Sequence, residues 1–493
     1  MKFALLALFT VASAAVPAPD ITVSWDKVER VSNTTATLQV VVNPLLRRGS
    51  RIHDRVFAEL KNLGADAVRY VPWFPYPRLA IAELNPPEDG RTSWDFTLLD
   101  PMTTDFLEAT KGHSVVLNFS TIPPWMFQIA KPIEYPQDPE QVSWDYLQGT
   151  ELRDPLGSEL GAYYARLVSW YARGGFTDEL GREHRSGHHF SIPYWEVLNE
   201  PDLEHQMSAQ QYTARYDAIV SAIRAVSPGT KFVGLSLAFP GGSPEMFEYF
   251  LDHRNHKPGI PLDMISYHFY ATPAEDEPPE AQPYTLFSEV DGFLNTVRFV
   301  EAIRKRLSPE TGTMINEIGC ISTDDFGQNA PGHVMKPIPD SYWSLCGAVY
   351  AYAYGHLNAL GIDVAGESQL VGYPSQFPSV SMVDWNTGAP NARFRVLQLL
   401  KTNFVPGDRI VAVANRLPTV YALACIGAGG ERKLLLVNER DRDIDVSFGD
   451  RVKQMQSVDF TTRGAPAVST PVDNTMVRLH GFAVAVLSFE TLE

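Results

Sequence analysis

The pattern of hydrophobic and polar residues changes twice along the chain. At residues 21–42 apolar and polar residues alternate, which is typical of a β-strand with one exposed face. Short apolar runs then alternate with segments of helical periodicity up to residue 404. From Arg409 onward the pattern consists of short apolar runs separated by polar turns. The chain therefore divides into N-terminal strands at 16–45, a central α/β region at 46–404 and an all-β region at 405–493.

The central region predicts eight strands that alternate with helices. We expect the helices at 52–63, 98–110, 157–171, 208–225, 244–251, 287–307, 341–357 and 392–400. The strands carry the segments TLQVVV, ADAVRYVPW, SVVLNFS, YWEVLNEPD, KFVGLSLA, DMISYHFY, TMINEIGC and GIDVAGESQL. Strands that alternate with helices form parallel βαβ units. A closed (β/α)8 barrel, the TIM barrel, is favoured over an open doubly wound sheet because no glycine-rich phosphate turn follows the first strand.

The C-terminal region predicts a β-sandwich. Seven short segments have strand character: RIVAVA, TVYALACI, RKLLLVNE, DIDVSF, QMQSVDF, NTMVRL and FAVAVLSF. Polar turns separate them, as in antiparallel all-β domains. The strands at 16–45 either start the barrel or return to complete this sandwich.

The first fifteen residues predict a signal peptide. Lys2 supplies a positive charge, residues 3–11 are apolar, and Ala12, Ser13 and Ala14 form a small-residue cleavage pattern. The apolar run is too short to span a bilayer. We therefore expect a secreted, extracellular protein whose mature chain begins near Ala15 or Val16.

The net charge bears on partners rather than on fold. The formal charge is −17, spread along the chain without a polybasic run. This balance argues against nucleic acid and anionic membranes as partners. The sequence leaves the oligomeric state open.

Cysteines and sequons add two open questions. In an oxidising compartment Cys320 and Cys346 could form one disulfide with Cys425 left over, or all three could be buried free thiols. No spacing of cysteine or histidine predicts a metal site. Asn33 and Asn118 are glycosylation sequons, but Asn118 lies inside an apolar strand, which argues against its modification.

Two glutamates carry the candidate chemistry. Glu200 follows Asn199 at the end of the fourth strand, and Glu317 follows Asn316 on the seventh. The carboxyl ends of the strands are where parallel barrels keep their active sites. A lone glutamate at such a position often forms an ordinary salt bridge, but a pair suits the hydrolysis of a glycosidic bond. One carboxyl group protonates the leaving oxygen while the other stabilises the anomeric carbon.

These motifs resemble the retaining glycoside hydrolases built on a (β/α)8 barrel. The WEVLNEPD segment, the helix after it and the trailing β-sandwich are most similar to glycoside hydrolase family 39, which includes β-xylosidases and α-L-iduronidases. The resemblance implies that Glu200 is the general acid and base and that Glu317 is the nucleophile, with no cofactor. Retention requires carboxyl groups about 5–5.5 Å apart.

Further residues complete the predicted site. Arg69, on the second strand, resembles the arginine that supports the nucleophile, although a barrel salt bridge is an equal alternative. Asn199 is expected to bind the sugar hydroxyl next to the anomeric carbon. His268 and Tyr270 share one side of the sixth strand and are placed to orient Glu317.

Sugar contacts are predicted from aromatic and polar residues at the strand ends. Trp73 and Trp125 can stack on sugar faces, whereas Trp195 lies too far inside its strand and is expected in the core. Glu367 and Gln369, near the end of the eighth strand, are candidate ligands for sugar hydroxyls. Residues 121–152, rich in proline and aromatics, are expected to form one wall of the cleft.

The sequence therefore predicts a secreted retaining exo-glycosidase with a carbohydrate substrate. One alternative is an endo-acting enzyme whose open groove is lined by Trp73 and Trp125. Another is a catalytically inactive carbohydrate-binding barrel. A serine hydrolase is disfavoured because the G-x-S-x-G motif is missing. The identity of the sugar does not follow from the residues.

Overall fold

The computed structural model describes residues 18–131, 134–144, 149–328, 330, 333–374 and 376–490. The predicted signal peptide, residues 1–15, lies outside the described residues. Within them, no helix has the length and apolar character needed to cross a membrane.

The helices lie close to the predicted positions. Their bounds are α1 (His53–Leu63), α2 (Leu99–Ala109), α3 (Ser158–Arg173), α4 (Ala209–Val226), α5 (Pro244–Phe250), α6 (Gln282–Leu307), α7 (Asp340–Leu360) and α8 (Ala392–Asn403). Short 3-10 helices lie at Pro44–Leu46, Pro77–Leu79, Pro124–Met126, His253–Asn255, Thr323–Gly327 and Pro378–Val380. Helix α6 begins five residues before the predicted start, because Pro283 occupies its first turn, where a missing N–H costs nothing.

The strands fall into two large sheets and a hairpin. Their bounds are β1 (Ile21–Val31), β2 (Thr35–Val41), β3 (Val68–Val71), β4 (Val115–Leu117), β5 (Gly175–Thr177), β6 (Glu183–Arg185), β7 (Tyr194–Glu196), β8 (Lys231–Leu237), β9 (Met264–Ala271), β10 (Gly312–Cys320), β11 (Val364–Glu367), β12 (Arg409–Asn415), β13 (Val420–Ile426), β14 (Arg432–Asn438), β15 (Ile444–Val458), β16 (Thr470–Leu479) and β17 (Val484–Phe489).

Eight parallel strands close into a barrel in the order β2-β3-β4-β7-β8-β9-β10-β11. The barrel closes where β11 pairs with β2, for example Val364 with Thr35. The prediction of a TIM barrel is confirmed. Local signals agree with it: Ser208 and Gln211 form the predicted capping box before α4, and Gly64 ends α1 in a left-handed conformation.

The second domain is a seven-stranded sheet in the order β1-β12-β13-β14-β17-β15-β16. It curls so far that Ile21 of β1 also pairs with Phe448 of β15. Its two faces bury different cores: Leu434 and Leu436 point into the core of the domain itself, whereas Leu435 belongs to the core shared with the barrel. The predicted all-β domain is confirmed, and one continuous hydrogen-bonded sheet forms both layers.

Residues 16–45 contribute to both domains. Strand β1 is antiparallel to β12 in the second domain, and β2 is the first strand of the barrel. The barrel is thus inserted between the first and second strands, in chain order, of the other domain.

One strand prediction is wrong. The segments DIDVSF and QMQSVDF are a single long strand, β15, and not two. A polar turn is predicted between them, at residues 449–453, but the chain passes through an irregularity in its pairing with β16 and continues in the same direction. The seventh strand of the domain is β1.

The structure shows the state of the cysteines and the exposure of the two sequon asparagines. Cys320, Cys346 and Cys425 are buried free thiols, which is the second of the two alternatives. Asn118 is fully buried and its amide donates to Glu196, so this sequon cannot carry a glycan in the folded protein. Asn33 is exposed, and its amide donates to Asp363.

Candidate active site

A buried arginine forms the floor of the site. Arg69 on β3 is 1% exposed. A guanidinium has five N–H donors, and five hydrogen bonds of 2.5–3.1 Å leave this one. Its acceptors are Gln39, Glu196, Asn199, Ser236 and Glu317. Because every donor is occupied, the guanidinium position is fixed from five directions.

Glu196 lies below the cleft and links several strands. Its Oε2 accepts from Arg69 and from Asn118, both at 2.5 Å, and its Oε1 accepts from Ser266 at 2.5 Å and Asn316 at 2.7 Å. The carboxylate is completely buried. A buried charge needs such full pairing, since its desolvation is otherwise expensive. Glu196 therefore holds the side chains beneath the site in place and does not itself face the cleft.

Glu317 on β10 is held in its ionised form. Its Oε1 accepts from Arg69 at 2.5 Å and its Oε2 accepts from Tyr270 at 2.5 Å. Burial raises the pKa of Glu317, but the charges of His268 and Arg69 and the Tyr270 hydrogen bond outweigh burial and hold the pKa below its ordinary value. An ionised carboxylate here is suited to attack an electron-poor carbon.

The pKa of Glu200 is shifted in the opposite direction. Burial, with the nearby charges of Glu317 and Asp202, raises its pKa despite the hydrogen bond and charge of His268. His268 Nδ1 lies 2.7 Å from Glu200 Oε1, and its Nε2 lies 3.1 Å from the Ser236 hydroxyl. Although burial lowers the pKa of His268, the two carboxylates raise it overall. The site therefore contains one carboxyl group biased toward the acid and one biased toward the base.

The backbone that presents Glu200 is unusual. Leu198 and Glu200 have φ angles of 65° and 40°, in the left-handed region that non-glycine residues rarely adopt. On the neighbouring strand Leu235 and Ser236 have φ angles of 78° and 51°. Such conformations cost about 1–3 kcal/mol each and cluster at functional sites. Here they bring Glu200 and Ser236 to the mouth of the barrel.

The two carboxyl groups are close together. A carboxylate oxygen of Glu200, a carboxylate oxygen of Glu317 and a ring nitrogen of His268 all lie within 4.8 Å of one another. The same three side chains have the composition of a metal site, but both nitrogens of His268 already have hydrogen-bond partners, Glu200 and Ser236. Carboxylate oxygens that approach within 4.8 Å fit the short spacing of retaining enzymes better than the wider spacing that leaves room for a water molecule, so the pair suits direct attack by one carboxylate.

Asn199 and Trp73 meet at a third carboxyl group. The amide nitrogen of Asn199 donates to Glu204 Oε1 at 2.8 Å, and Trp73 Nε1 donates to the same oxygen at 2.7 Å. Burial raises the pKa of Glu204 well above its ordinary value. Asn199 Oδ1 accepts from Arg69 at 2.6 Å. Asn199 and the Trp73 ring are thus fixed at the edge of the cleft before any ligand binds.

These side chains open into one large cleft at the carboxyl end of the barrel. Its volume is about 1140 Å³. The polar side of its lining contains Gln39, Asn199, Glu200, His268, Tyr270, Glu317 and Gln369, and Trp73 lies beside them. Seven of the eight strands that form the barrel supply or lead into lining residues, which is the usual place for a site in this fold.

Most predicted site residues meet in this cleft, with exceptions. Trp125 lies outside it: its Nε1 donates to the Glu83 carbonyl at 2.9 Å and its ring packs under Arg153. The prediction of Trp125 as a sugar platform is therefore wrong. Trp195 is 1% exposed and packs in the core, as expected. Arg69 touches Glu317 from below and is not part of the cleft surface.

The prediction for Glu367 is also wrong. Glu367 is completely buried and pairs with Arg393 of α8, whose Nε donates at 2.9 Å. Gln369 does line the cleft, but its amide nitrogen donates to the Gln376 carbonyl. Of the predicted wall at 121–152, the ring of Trp144 meets Trp73 edge-on at 5.3 Å between centroids.

Sequence reasoning missed four polar residues of the site. Gln39, Glu196 and Ser236 each interrupt an otherwise apolar barrel strand, and Glu204 follows Glu200 by four residues. A single polar residue in a buried strand needs a partner inside the barrel. That signal was present for Gln39 and Glu196.

Comparison with known proteins gives the fold a clear context. No family model and no curated protein matches the sequence. Among solved structures, a GH51 arabinofuranosidase from Xanthomonas axonopodis pv. citri matches with a TM-score of 0.64 at 13% identity, over 96% of this chain and 100% of the other. The fold is one that glycoside hydrolases use.

Two further structures agree along their whole length. A glucosidase from Croceicoccus marinus has a TM-score of 0.60 at 14% identity, over 97% of this chain and 100% of its own. A GH30 endoxylanase from Clostridium papyrosolvens has a TM-score of 0.56 at 13% identity, over 96% and 100%. At such identities the likeness establishes the barrel and its β domain together, and leaves substrate and activity to the site itself.

Proposed function

We propose that this chain is a secreted retaining exo-glycosidase, with Glu200 as general acid and base and Glu317 as nucleophile. The observation that carries the proposal is the pairing of the two carboxyl groups: they lie within 4.8 Å, and their pKa values are shifted in opposite directions. When the surroundings raise the pKa of one carboxyl group and lower that of the other, the first is suited to act as the acid and the second as the base or nucleophile.

In the first step an oxygen of ionised Glu317 attacks the anomeric carbon. The bond from that carbon to the leaving oxygen breaks, and Glu200 gives its proton to this oxygen. In the second step Glu200, now ionised, takes a proton from water while the water oxygen attacks the same carbon and Glu317 leaves as a carboxylate. Two inversions at one carbon give net retention.

The surroundings suit both steps. Arg69 and Tyr270 hold Glu317 in place and stabilise the charge that returns to it in the second step. His268 lies close to both carboxyl groups and holds the Glu200 side chain in place in both of its protonation states. Asn199, fixed by Arg69 and Glu204, lies next to Glu200 as a contact for the sugar hydroxyl beside the anomeric carbon.

Family, mode of action and localisation are part of this proposal. We place the chain nearest to glycoside hydrolase family 39, on the WEVLNEPD motif and the trailing β domain. Exo action is supported by the contact of Trp144, from the predicted wall, with Trp73 of the cleft lining. Secretion is supported by the composition of residues 1–15.

One observation favours the endo-acting alternative. The cleft volume of about 1140 Å³ is larger than a single sugar ring requires, since about 300–1,000 Å³ holds a drug-sized ligand. Digestion of a xylan or β-glucan polymer separates the two modes, because an exo enzyme releases only monosaccharide and an endo enzyme releases mixed oligomers. The inactive-barrel alternative is disfavoured, because the paired carboxyl groups and their opposite pKa shifts are intact.

The test is a screen of aryl glycosides with wild type, Glu200→Ala and Glu317→Ala. Added azide can occupy the space of a missing carboxylate. We expect Glu200→Ala with azide to give a glycosyl azide of retained configuration and Glu317→Ala with azide to give an inverted one. Equal activity of the wild type and either variant would overturn the assignment of that residue.

A further inference from the structure

The cleft has an apolar side that the proposed chemistry does not use. Six residues form this apolar wall: Leu203, Phe239, Pro240, Phe269, Tyr284 and Phe293. Phe239 and Tyr284 are 58% and 57% exposed. Among the described residues, the exposed large aromatic side chains are Phe239, Tyr284, Phe299, Phe326 and Phe460. Three of them line this cleft, and two of these three, Phe239 and Tyr284, belong to the apolar wall. Exposed aromatics concentrated at one place mark a binding surface.

The apolar wall stands next to the proposed acid. Asp202 follows Glu200 by two residues, and its carboxylate accepts from the backbone N–H groups of Ala238 and Phe239, at 3.0 and 2.9 Å. These bonds tie the loop of Phe239 to the loop of Glu200. The acid must touch the leaving oxygen, so Phe239 lies on a loop tied directly to the loop that carries the acid.

The packing behind the apolar wall is firm. The rings of Phe269 and Phe293 stack with centroids 4.4 Å apart, and Arg440 of the β domain lies over the ring of Tyr284 at 4.2 Å. Tyr284 is therefore braced from the second domain. Phe269, Phe293 and Tyr284 are therefore held in place before a ligand binds.

Polar side chains on this side include Thr285, Ser288, Glu289 and Thr296, and two of them have partners within the protein. The Thr285 hydroxyl donates to Glu277, and Glu289 accepts from the backbone of Thr272. Burial also raises the pKa of Glu289, which favours its neutral form. Sugar hydroxyls that lose water without gaining hydrogen bonds weaken binding, whereas hydrocarbon gains from the same environment. The cleft lining also contains Gln39, Asn199 and His268, which have the polar character that a sugar ring needs.

We propose that the leaving-group side of this cleft binds an apolar aglycone, a hydrocarbon or aromatic group joined to the sugar through oxygen, in place of a second sugar. This inference rests on the proposed glycosidase function and names its substrate class. The sugar ring then occupies the polar side above Glu317, and the aglycone lies along Phe239, Tyr284 and Phe293.

The test compares glycosides whose leaving groups differ in apolar area but hardly in acidity. With the sugar identified by the aryl screen, kcat/KM is measured for the methyl, butyl, octyl and benzyl glycosides and for the disaccharide of that sugar. The octyl compound is kept below its critical micelle concentration. One fully buried methylene contributes about fourfold, so we expect the octyl glycoside to exceed the methyl glycoside at least about tenfold. A better benzyl than octyl glycoside identifies an aromatic aglycone.

Two variants locate the effect. Phe239→Ala should bring the octyl-to-methyl ratio down toward one, while Phe460→Ala, an equally simple truncation of an exposed ring outside the cleft, should leave the ratio unchanged. If octyl and methyl glycosides react alike and the disaccharide is best, the wall is a sugar subsite and the inference is wrong while the glycosidase function stands. If no glycoside of any kind is cleaved, both fail.

Discussion

Removing one oxygen atom tests how the nucleophile is supported. The Tyr270 hydroxyl donates to Glu317 Oε2 at 2.5 Å, and Tyr270→Phe removes this bond while the ring stays. A hydrogen bond to a charged group contributes about 1.5–3 kcal/mol. Since about 1.4 kcal/mol is a tenfold change in rate, the loss should be about 10- to 150-fold.

The loss should fall on one step. In the second half of the reaction Glu317 regains its negative charge, and a donor aimed at Oε2 stabilises that charge as it forms. In Tyr270→Phe this step should become slower than the first, so the glycosyl-enzyme accumulates. We therefore expect kcat and KM for an activated aryl glycoside to fall together, with a burst of released phenol in rapid-mixing experiments.

A matched control lies on the same strand. Tyr267 is fully buried, faces the other side of β9, and its hydroxyl has no hydrogen-bond partner among the described residues. Tyr267→Phe makes the same chemical change without touching Glu317, and kcat should stay within about twofold of wild type. If Tyr270→Phe behaves like Tyr267→Phe, the role given to this hydrogen bond is incorrect.

Two further predictions follow from the charges. Activity needs Glu317 ionised and Glu200 protonated. With increasing pH, kcat/KM should therefore rise as Glu317 ionises, below pH 4.5, and fall as Glu200 ionises, above pH 4.5. His268→Gln should move both limbs to higher pH, because His268 lowers both pKa values. Unmoved limbs would contradict this. Arg69→Met removes the guanidinium that pairs with both Glu196 and Glu317 and should lower the free energy of unfolding by about 3–5 kcal/mol. Because the pKa of Glu317 is lowered on folding, the difference in free energy of unfolding between wild type and variant should be complete above pH 4.5 and decrease in more acidic solution. A difference that does not depend on pH would contradict this role of Arg69.

The repeating pattern of the central region was sufficient to predict the barrel. Helical periodicity and short apolar runs are local signals, and tertiary packing did not override them in any of the eight barrel strands. The break in β15 was misjudged because Gly449 and Asp450 are typical turn residues. There the long-range pairing with β16 and β17 determined the outcome, and no local pattern reports it.

The candidate site was predicted unevenly for a physical reason. Glu200 and Glu317 end strands, and the position of a strand end in a barrel follows from the fold alone. The direction of Trp125 depends on the path of its loop, and the burial of Glu367 depends on Arg393, which comes from a different helix. When the position of a side chain depends on partners distant in sequence, it can be determined only from the structure.

The insertion of the barrel between β1 and β12 affects the order in which the protein can be made. Ile21 pairs with Asn415, so β1 leaves the ribosome long before its partner exists. At about 5–20 residues per second the wait is about 20–80 seconds. During this interval an amphipathic strand remains unpaired at the start of the nascent chain, open to misassociation with other strands. The last domain to be synthesised is therefore also the one that must recover the first strand.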